Sequence, residues 1–276
     1  METELDRTLN QIRTTLSHRQ SPQESPETDS KDSDVCPDCQ GTTWILDKKT
    51  NSVTPCKCRD KTIMDRRLRF AALPEAFREM DLKTFRTDIY QIPESRDKIK
   101  GACQVIKTYL DNFSQMQGRG IGLYMWSNAK GSGKTRMAAS IANYLMREKG
   151  VQVKFSTSLN IIQEIKNTWD DKEKKSESRL LDALSTAEVL IIDDFGMEQL
   201  TAWINSKFFQ VLNERYINNR VTILTSNIPF ENLEYDDRIT DRIGEKMLKI
   251  AFPEESIRKI ISKNNNAQML GMLAKQ

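Results

Sequence analysis

Lys130-Gly131-Ser132-Gly133-Lys134-Thr135 constrains this chain more than any other stretch. The apolar run Ile121-Gly122-Leu123-Tyr124-Met125-Trp126 precedes it, and a helical pattern, Met137-Ala138-Ala139-Ser140-Ile141-Ala142-Asn143-Tyr144-Leu145, follows. Strand, glycine-rich loop and helix, in that order, make a phosphate cradle. The glycines let backbone N–H groups turn inward around an anion, and the helix adds its positive end at the same point. Lys134 is placed for the β- and γ-phosphates of ATP, and the Thr135 hydroxyl for Mg²⁺. The predicted nucleotide loop spans Asn128, Ala129, Lys130, Gly131, Ser132, Gly133, Lys134, Thr135 and Arg136. The full pattern asks for glycine where this chain has Asn128. Asparagine tolerates the left-handed backbone better than most side chains, so the turn is expected to survive.

Val189-Leu190-Ile191-Ile192-Asp193-Asp194 lies about 55 residues downstream, a spacing that suits two parallel strands with helical material between them. A β-branched apolar run of this kind reads as a strand buried on both faces. At its end Asp193 is a candidate Mg²⁺ ligand beside Thr135, and Asp194 is placed to polarise an attacking water. A further strand, Val221-Thr222-Ile223-Leu224-Thr225-Ser226-Asn227, ends in polar residues. Open α/β sheets bind nucleotides at the carboxyl ends of their strands, which puts Asn227 near the γ-phosphate. Arg238 and Arg242 are four apart and share a helix face, and Arg258 follows later. Each arginine reads either as a partner for developing phosphate charge or as a solvated ion pair.

In this order, Gly131-Ser-Gly-Lys-Thr135, Leu190-Ile-Ile-Asp-Asp-Phe-Gly196, Arg215-Tyr216, Leu224-Thr-Ser-Asn227, Asp241-Arg242 and Ser256-Ile-Arg258 resemble the AAA+ ATPases of the DnaC/DnaI helicase-loader family, which includes the IstB transposition helpers. The resemblance covers roughly residues 70 to 262, and Leu73-Pro74-Glu75-Ala76-Phe77 is similar to the segment that opens this family's ATPase domain. It implies an α/β P-loop NTPase with a five-stranded parallel sheet and helices on both faces. It implies catalytic roles for Lys134, Asp193 and Asp194, with Asn227 as sensor one, Arg242 as arginine finger (Arg238 the runner-up) and Arg258 as sensor two. It also implies an ATP-dependent loader whose partners are a replicative DNA helicase hexamer, single-stranded DNA and further copies of itself. Lys154, Lys166, Lys172, Lys174 and Lys175 fall where related proteins face single-stranded DNA; a solvated loop is the plainer reading. The alternatives are a transposition helper ATPase and a non-catalytic zinc-containing DNA-binding adaptor.

Cys36-Pro37-Asp38-Cys39 and Cys56-Lys57-Cys58 form two close pairs separated by 16 residues. Four thiolates so arranged suit a tetrahedral Zn²⁺ site, with free thiols or a redox pair as the other readings. The second pair is tighter than the common Cys-x₂-Cys. Trp44 to Leu46 and Val53 predict a short hairpin between the pairs. A segment this small cannot fold on a core of its own, so metal would fold it. Cys103 lies in an apolar helical pattern and reads as a buried thiol.

The chain has 276 residues, enough for one ATPase domain with small appendages. Its net charge of +3 neither demands nor excludes nucleic acid. One histidine, His18, leaves no room for a histidine-rich metal site. Without a long apolar run or an apolar leader, the expectation is a cytoplasmic protein with no membrane partner. Residues 1–18 place Leu5, Leu9, Ile12 and Leu16 on one helix face, suited to this chain's own ATPase domain or to a partner. Residues 19–34 read as a flexible linker, 35–61 as the zinc module, 62–80 as a basic linker helix and 81–262 as the ATPase domain. Arg66, Arg67 and Arg69 read as phosphate contacts or as a solvated face. The stretch from Asp170 to Ser178 reads as an exposed turn, and 263–276 as a frayed tail.

Overall fold

The computed structural model describes residues 36–47, 50, 52–168 and 175–273. The amino-terminal helix and linker expected over 1–34, and Lys172 and Lys174, lie outside them. Contacts divide the chain into two units, Met1–Cys58 and Arg59–Gln276.

In the first unit, β1 (Trp44–Asp47) pairs antiparallel with β2 (Ser52–Pro55). Every residue of both strands is exposed, so the hairpin has no apolar core. Order comes from the turn ahead of it. Gln40 N–H donates to the Cys36 carbonyl at 2.8 Å, Cys56 N–H donates to the Thr43 carbonyl at 3.0 Å, and Cys39 and Cys56 are buried.

The second unit opens with α1 (Arg59–Ala71). Ala72 then takes a left-handed φ of 53°, and tight turns at Glu75–Phe77 and Leu82–Thr84 follow, so the basic helix sits earlier and stops sooner than the 62–80 expected. Next come α2 (Pro93–Asp111), α3 (Phe113–Gly118), β3 (Gly122–Trp126), α4 (Lys134–Glu148), β4 (Val153–Thr157), α5 (Ser158–Asn167) and α6 (Lys175–Thr186). The chain continues through β5 (Val189–Asp193), α7 (Ala202–Ile217), β6 (Val221–Ser226), α8 (Asp237–Lys246), β7 (Met247–Ala251) and α9 (Ile257–Leu273). Several starts are locally encoded. Thr157 and Thr201 cap α5 and α7 through their hydroxyls, Asp236 caps α8, and Pro93 occupies the first turn of α2.

Strands β3 to β7 form one parallel sheet in the order β4-β5-β6-β3-β7. Alternate strand residues feed two cores. Leu123, Met125, Val189, Ile191 and Ile223 pack with α2 and α4, whereas Tyr124, Leu190, Ile192 and Leu224 pack with α5, α7 and α8. The result is the expected five-stranded sheet with helices on both faces. Cys103 packs against the first core but is only half-buried. The tail expected to fray is helical instead: α9 runs on through the asparagines to Leu273.

Arg215, near the end of α7, is 1% exposed. Its guanidinium donates to the carbonyls of Leu184, Ser185, Ala187 and Val221 and to the Thr222 hydroxyl. Burial pulls its pKa down to about 9, still well above neutral, so the group stays charged. It ties α7 to the start of β5 and β6, the strands that carry the polar residues described next.

Candidate functional site

The loop between β3 and α4 reverses sharply at Gly131 (φ 78°) and Gly133 (φ 97°). A Cβ on Gly133 would sit 3.0 Å from the Tyr90 hydroxyl, and one on Gly131 would sit 2.9 Å from the Arg258 Cβ. Both glycines are therefore required by backbone angle and by space. Asn128 has no left-handed φ, so the missing glycine costs no strain there. Its N–H and that of Ala129 donate to the Glu254 carboxylate at 3.2 and 2.9 Å. Glu254 belongs to a turn pinned to the loop at several points. Phe252 N–H donates to the Trp126 carbonyl (2.7 Å), the Ser127 hydroxyl to the Pro253 carbonyl (2.8 Å), and Ile257 N–H to the Gly131 carbonyl (2.9 Å).

Lys134 is 5% exposed. Its ammonium donates to the Ser127 and Ala129 carbonyls and the Ser132 hydroxyl, each at 3.2 Å, and forms no ion pair among the described residues. Burial lowers its pKa, while the fields of Asp194, Glu254 and Asp193 oppose that shift. A buried cation surrounded by neutral oxygens, at a helix N-terminus, fits a phosphate.

Asp193, 4% exposed at the end of β5, accepts from the Thr135 hydroxyl at 3.0 Å and from the Thr225 hydroxyl. Burial raises its pKa, Asp194 adds to the rise, and the two hydroxyls work against it. Thr225 also accepts from Asp194 N–H at 3.0 Å, which fixes a reversal in which Asp194 takes a φ of 55°. That left-handed turn aims consecutive carboxylates differently: Asp193 toward Thr135, Asp194 toward Asn227, whose amide donates to it at 3.3 Å. Thr135 and Asp193 together present a hydroxyl and a carboxylate of the hard-oxygen kind that suits Mg²⁺.

One cleft of about 590 Å³ gathers Lys130, Gly131, Ser132, Gly133, Lys134, Thr135, Arg136, Asp194, Asn227 and Arg258. Its apolar wall is Phe77, Met80, Leu159, Met197, Ile257 and Ile261, of which only Phe77 and Ile257 fall in the segments that carry the resemblance. Thr225 and Glu254 were also missed as site residues. Thr225 lies in the quoted Leu224-Thr-Ser-Asn227 and Glu254 two residues before Ser256-Ile-Arg258, but their roles depend on pairings far apart in the chain. Arg136 donates to the Thr84 carbonyl and so holds the Leu82–Thr84 turn against the loop.

Arg238 and Arg242 do not line this cleft. They stand over the Phe209 ring, with guanidinium carbons 4.5 and 4.9 Å from its centroid. Arg238 makes a two-pronged ion pair with Asp236. Arg242 donates instead to neutral oxygens, Asn213 Oδ1 (3.0 Å) and the Arg238 carbonyl (2.6 Å), and its guanidinium carbon lies 5.4 Å from the Tyr216 centroid. Arg67 donates to the Met146 carbonyl at 3.2 Å, and Lys154 lies 5.7 Å from the Phe70 centroid.

In the first unit the sulfur atoms of Cys36, Cys39, Cys56 and Cys58 lie within 4.8 Å of one another. Cys36 and Cys56 are 3.8 Å apart, and Cys39 and Cys58 are 3.4 Å apart. A tetrahedron with Zn–S bonds of about 2.3 Å has edges of about 3.8 Å, so the residues fit zinc. All four are unbridged. The tight Cys56-Lys57-Cys58 spacing is accommodated because a turn begins directly after β2.

Fold and cleft together define an AAA+-like P-loop module built to bind ATP. The chain belongs to the family described as IstB-like ATP binding protein, whose model matches residues 125–263, half of the chain. It is 29% identical over 198 residues to the phage-like element PBSX protein XkdC of Bacillus subtilis, covering 70% of this chain and 71% of that one. It is also 29% identical over 161 residues to the replicative helicase loader DnaC of Buchnera aphidicola subsp. Baizongia pistaciae, covering 57% of this chain and 63% of that relative's length. A crystal structure of the DnaC helicase loader superposes with a TM-score of 0.53 at 22% identity, covering 65% of this chain and 99% of that one. No helix among the described residues is long and apolar enough to cross a membrane.

Proposed function

We propose that this protein is an ATP-hydrolysing loader of a replicative DNA helicase, acting in the cytoplasm. The observation that carries the ATPase reading is the buried Lys134 ammonium, set among neutral oxygens beside Asp193, Asp194 and Asn227. The loader reading rests on family membership and on relatives that carry that name.

Lys134 and the loop N–H groups hold the β- and γ-phosphates. Mg²⁺, held by Thr135 with Asp193, neutralises phosphate charge when bound. Asp194, steadied by Asn227, orients the attacking water. Arg258 reaches the γ-phosphate from α9 of the same chain, and Arg242 serves the site of a neighbouring copy. Arg242 suits that task better than Arg238, because Asp236 already neutralises Arg238. Zn²⁺ held by Cys36, Cys39, Cys56 and Cys58 orders a hairpin whose exposed Trp44, Leu46 and Val53 grip the helicase, while the ATPase units bind single-stranded DNA. The intact ATPase residues argue against a decayed, non-catalytic adaptor.

The test is affinity capture from the native host with the captured proteins identified. Recovery of the replicative helicase, dependent on ATP and lost with Lys134→Ala, is the expected result. Recovery of a transposase in its place would support the transposition helper reading instead.

A further inference from the structure

Resting on the reading of Arg242 as a residue that serves a neighbouring copy, we propose that Phe209 is its positioning residue. Phe209, on α7, is a stacking platform that holds the guanidinium ready before any partner copy arrives.

Arginine side chains are long and lose much rotamer freedom when fixed. Arg242 is fixed here without a carboxylate among the described residues. The Phe209 ring lies under it at 4.9 Å, the Tyr216 ring at 5.4 Å, and Asn213 Oδ1 accepts from Nε at 3.0 Å. A ring face attracts a guanidinium yet leaves its N–H groups pointing along its own plane, available to an anion. A carboxylate would instead consume those donors and cancel the charge, as Asp236 does to Arg238. Arg238 has a separate part. Its guanidinium lies 4.5 Å from the same ring, and its carbonyl accepts from Arg242 Nη1 at 2.6 Å. Phe209 is half-buried and packs against the apolar core beneath α7, which holds the ring in place. Phe209, Asn213 and Tyr216 all lie on α7, and the arginines on α8. The device is thus a property of one helix pair and lies outside the nucleotide cleft of its own chain.

The test uses the full-length protein and three variants. Phe209→Leu keeps apolar bulk and removes the ring face, Phe209→Tyr keeps the face, and Arg242→Ala removes the guanidinium. ATP affinity, turnover and melting temperature are measured for each. Each is also mixed with Lys134→Ala protein, which has an intact Arg242 but no working cleft. Phe209→Leu is expected to bind ATP as tightly as wild type and to lose turnover about tenfold. Mixing with Lys134→Ala should restore part of that loss, as it should for Arg242→Ala, and Phe209→Tyr should retain most turnover. If Phe209→Leu turns over normally while Arg242→Ala is impaired, the platform is wrong and Arg242 stands. If Phe209→Leu loses ATP affinity, or is not restored by Lys134→Ala, its role is structural and the proposal fails. If Arg242→Ala itself turns over normally, the reading of Arg242 falls and takes the platform with it.

Discussion

Lys134 and Arg215 are both buried cations, and their surroundings give them opposite tasks. Around Lys134 the acceptors are three oxygens at 3.2 Å at the end of a helix, a setting that an arriving phosphate improves. Lys134→Ala should cut turnover at least about 100-fold, because the transferred phosphoryl loses its nearest fixed cation. Hydrolysis by that variant at the wild-type rate would sink the assignment of the loop. Asp194→Asn should retain ATP binding and slow turnover, since its carboxylate faces Asn227 and not Thr135. Arg215 is instead surrounded by carbonyls that its guanidinium already satisfies. Arg215→Met would strand those acceptors in the core and should cost about 3 to 5 kcal/mol. In a unit of this size that lowers the melting temperature by about 10 °C. A melt within about 2 °C of wild type would contradict the account. Placement at this scale was readable from residue type and spacing: Gly131, Gly133 and Lys134 lie in the loop and first turn of α4, and Asp193 ends β5, where local pattern puts them. Thr225 and Glu254 were not readable as site residues. Thr225 bonds across strands to Asp193, and Glu254 reaches Ala129 over a separation of 125 residues.

At the scale of elements, the strands were legible because burial on both faces favours apolar runs, as in Val189-Leu190-Ile191-Ile192 of β5. The end of α9 was not. Lys263-Asn264-Asn265-Asn266 is poor helix-forming sequence, yet the helix initiated at Ile257 continues through it. The hairpin of β1 and β2 has the reverse logic. Its strands bury nothing, so its stability must come from the four sulfurs that bracket it. Purified protein should contain one zinc per chain. Cys56→Ser should release it and collapse the hairpin's amide signals in an NMR spectrum, while the melt of the Arg59–Gln276 unit stays in place. Zinc-free protein prepared without chelators, with the hairpin still ordered, would overturn this.

For the whole molecule, the placing of Arg242 outside its own cleft has a kinetic consequence. If each cleft is completed by a neighbour, specific activity must rise with protein concentration and then level off as assembly saturates. Helicase or single-stranded DNA should move that rise to lower concentration by gathering copies together. Dilution series of the ATPase rate, with and without each partner, would show it. A flat series would mean that each copy works alone. The Asp241-Arg242 motif already suggested a finger for a neighbouring copy, and α8 carries Arg242 outside the cleft of its own chain.

The turn between β7 and α9 is bolted to the nucleotide loop by Glu254, Pro253 and the Gly131 carbonyl. Helix α9 leaves that anchorage with 17 residues, a rod about 25 Å long. Its far part carries Met269, Leu270 and Met272 in the open. Such a rod has the geometry of a lever with its fulcrum at that loop: a tilt of about 5° there would sweep the tip through about 2 Å. Any movement of that loop would therefore be magnified at those side chains, a helix length away from it.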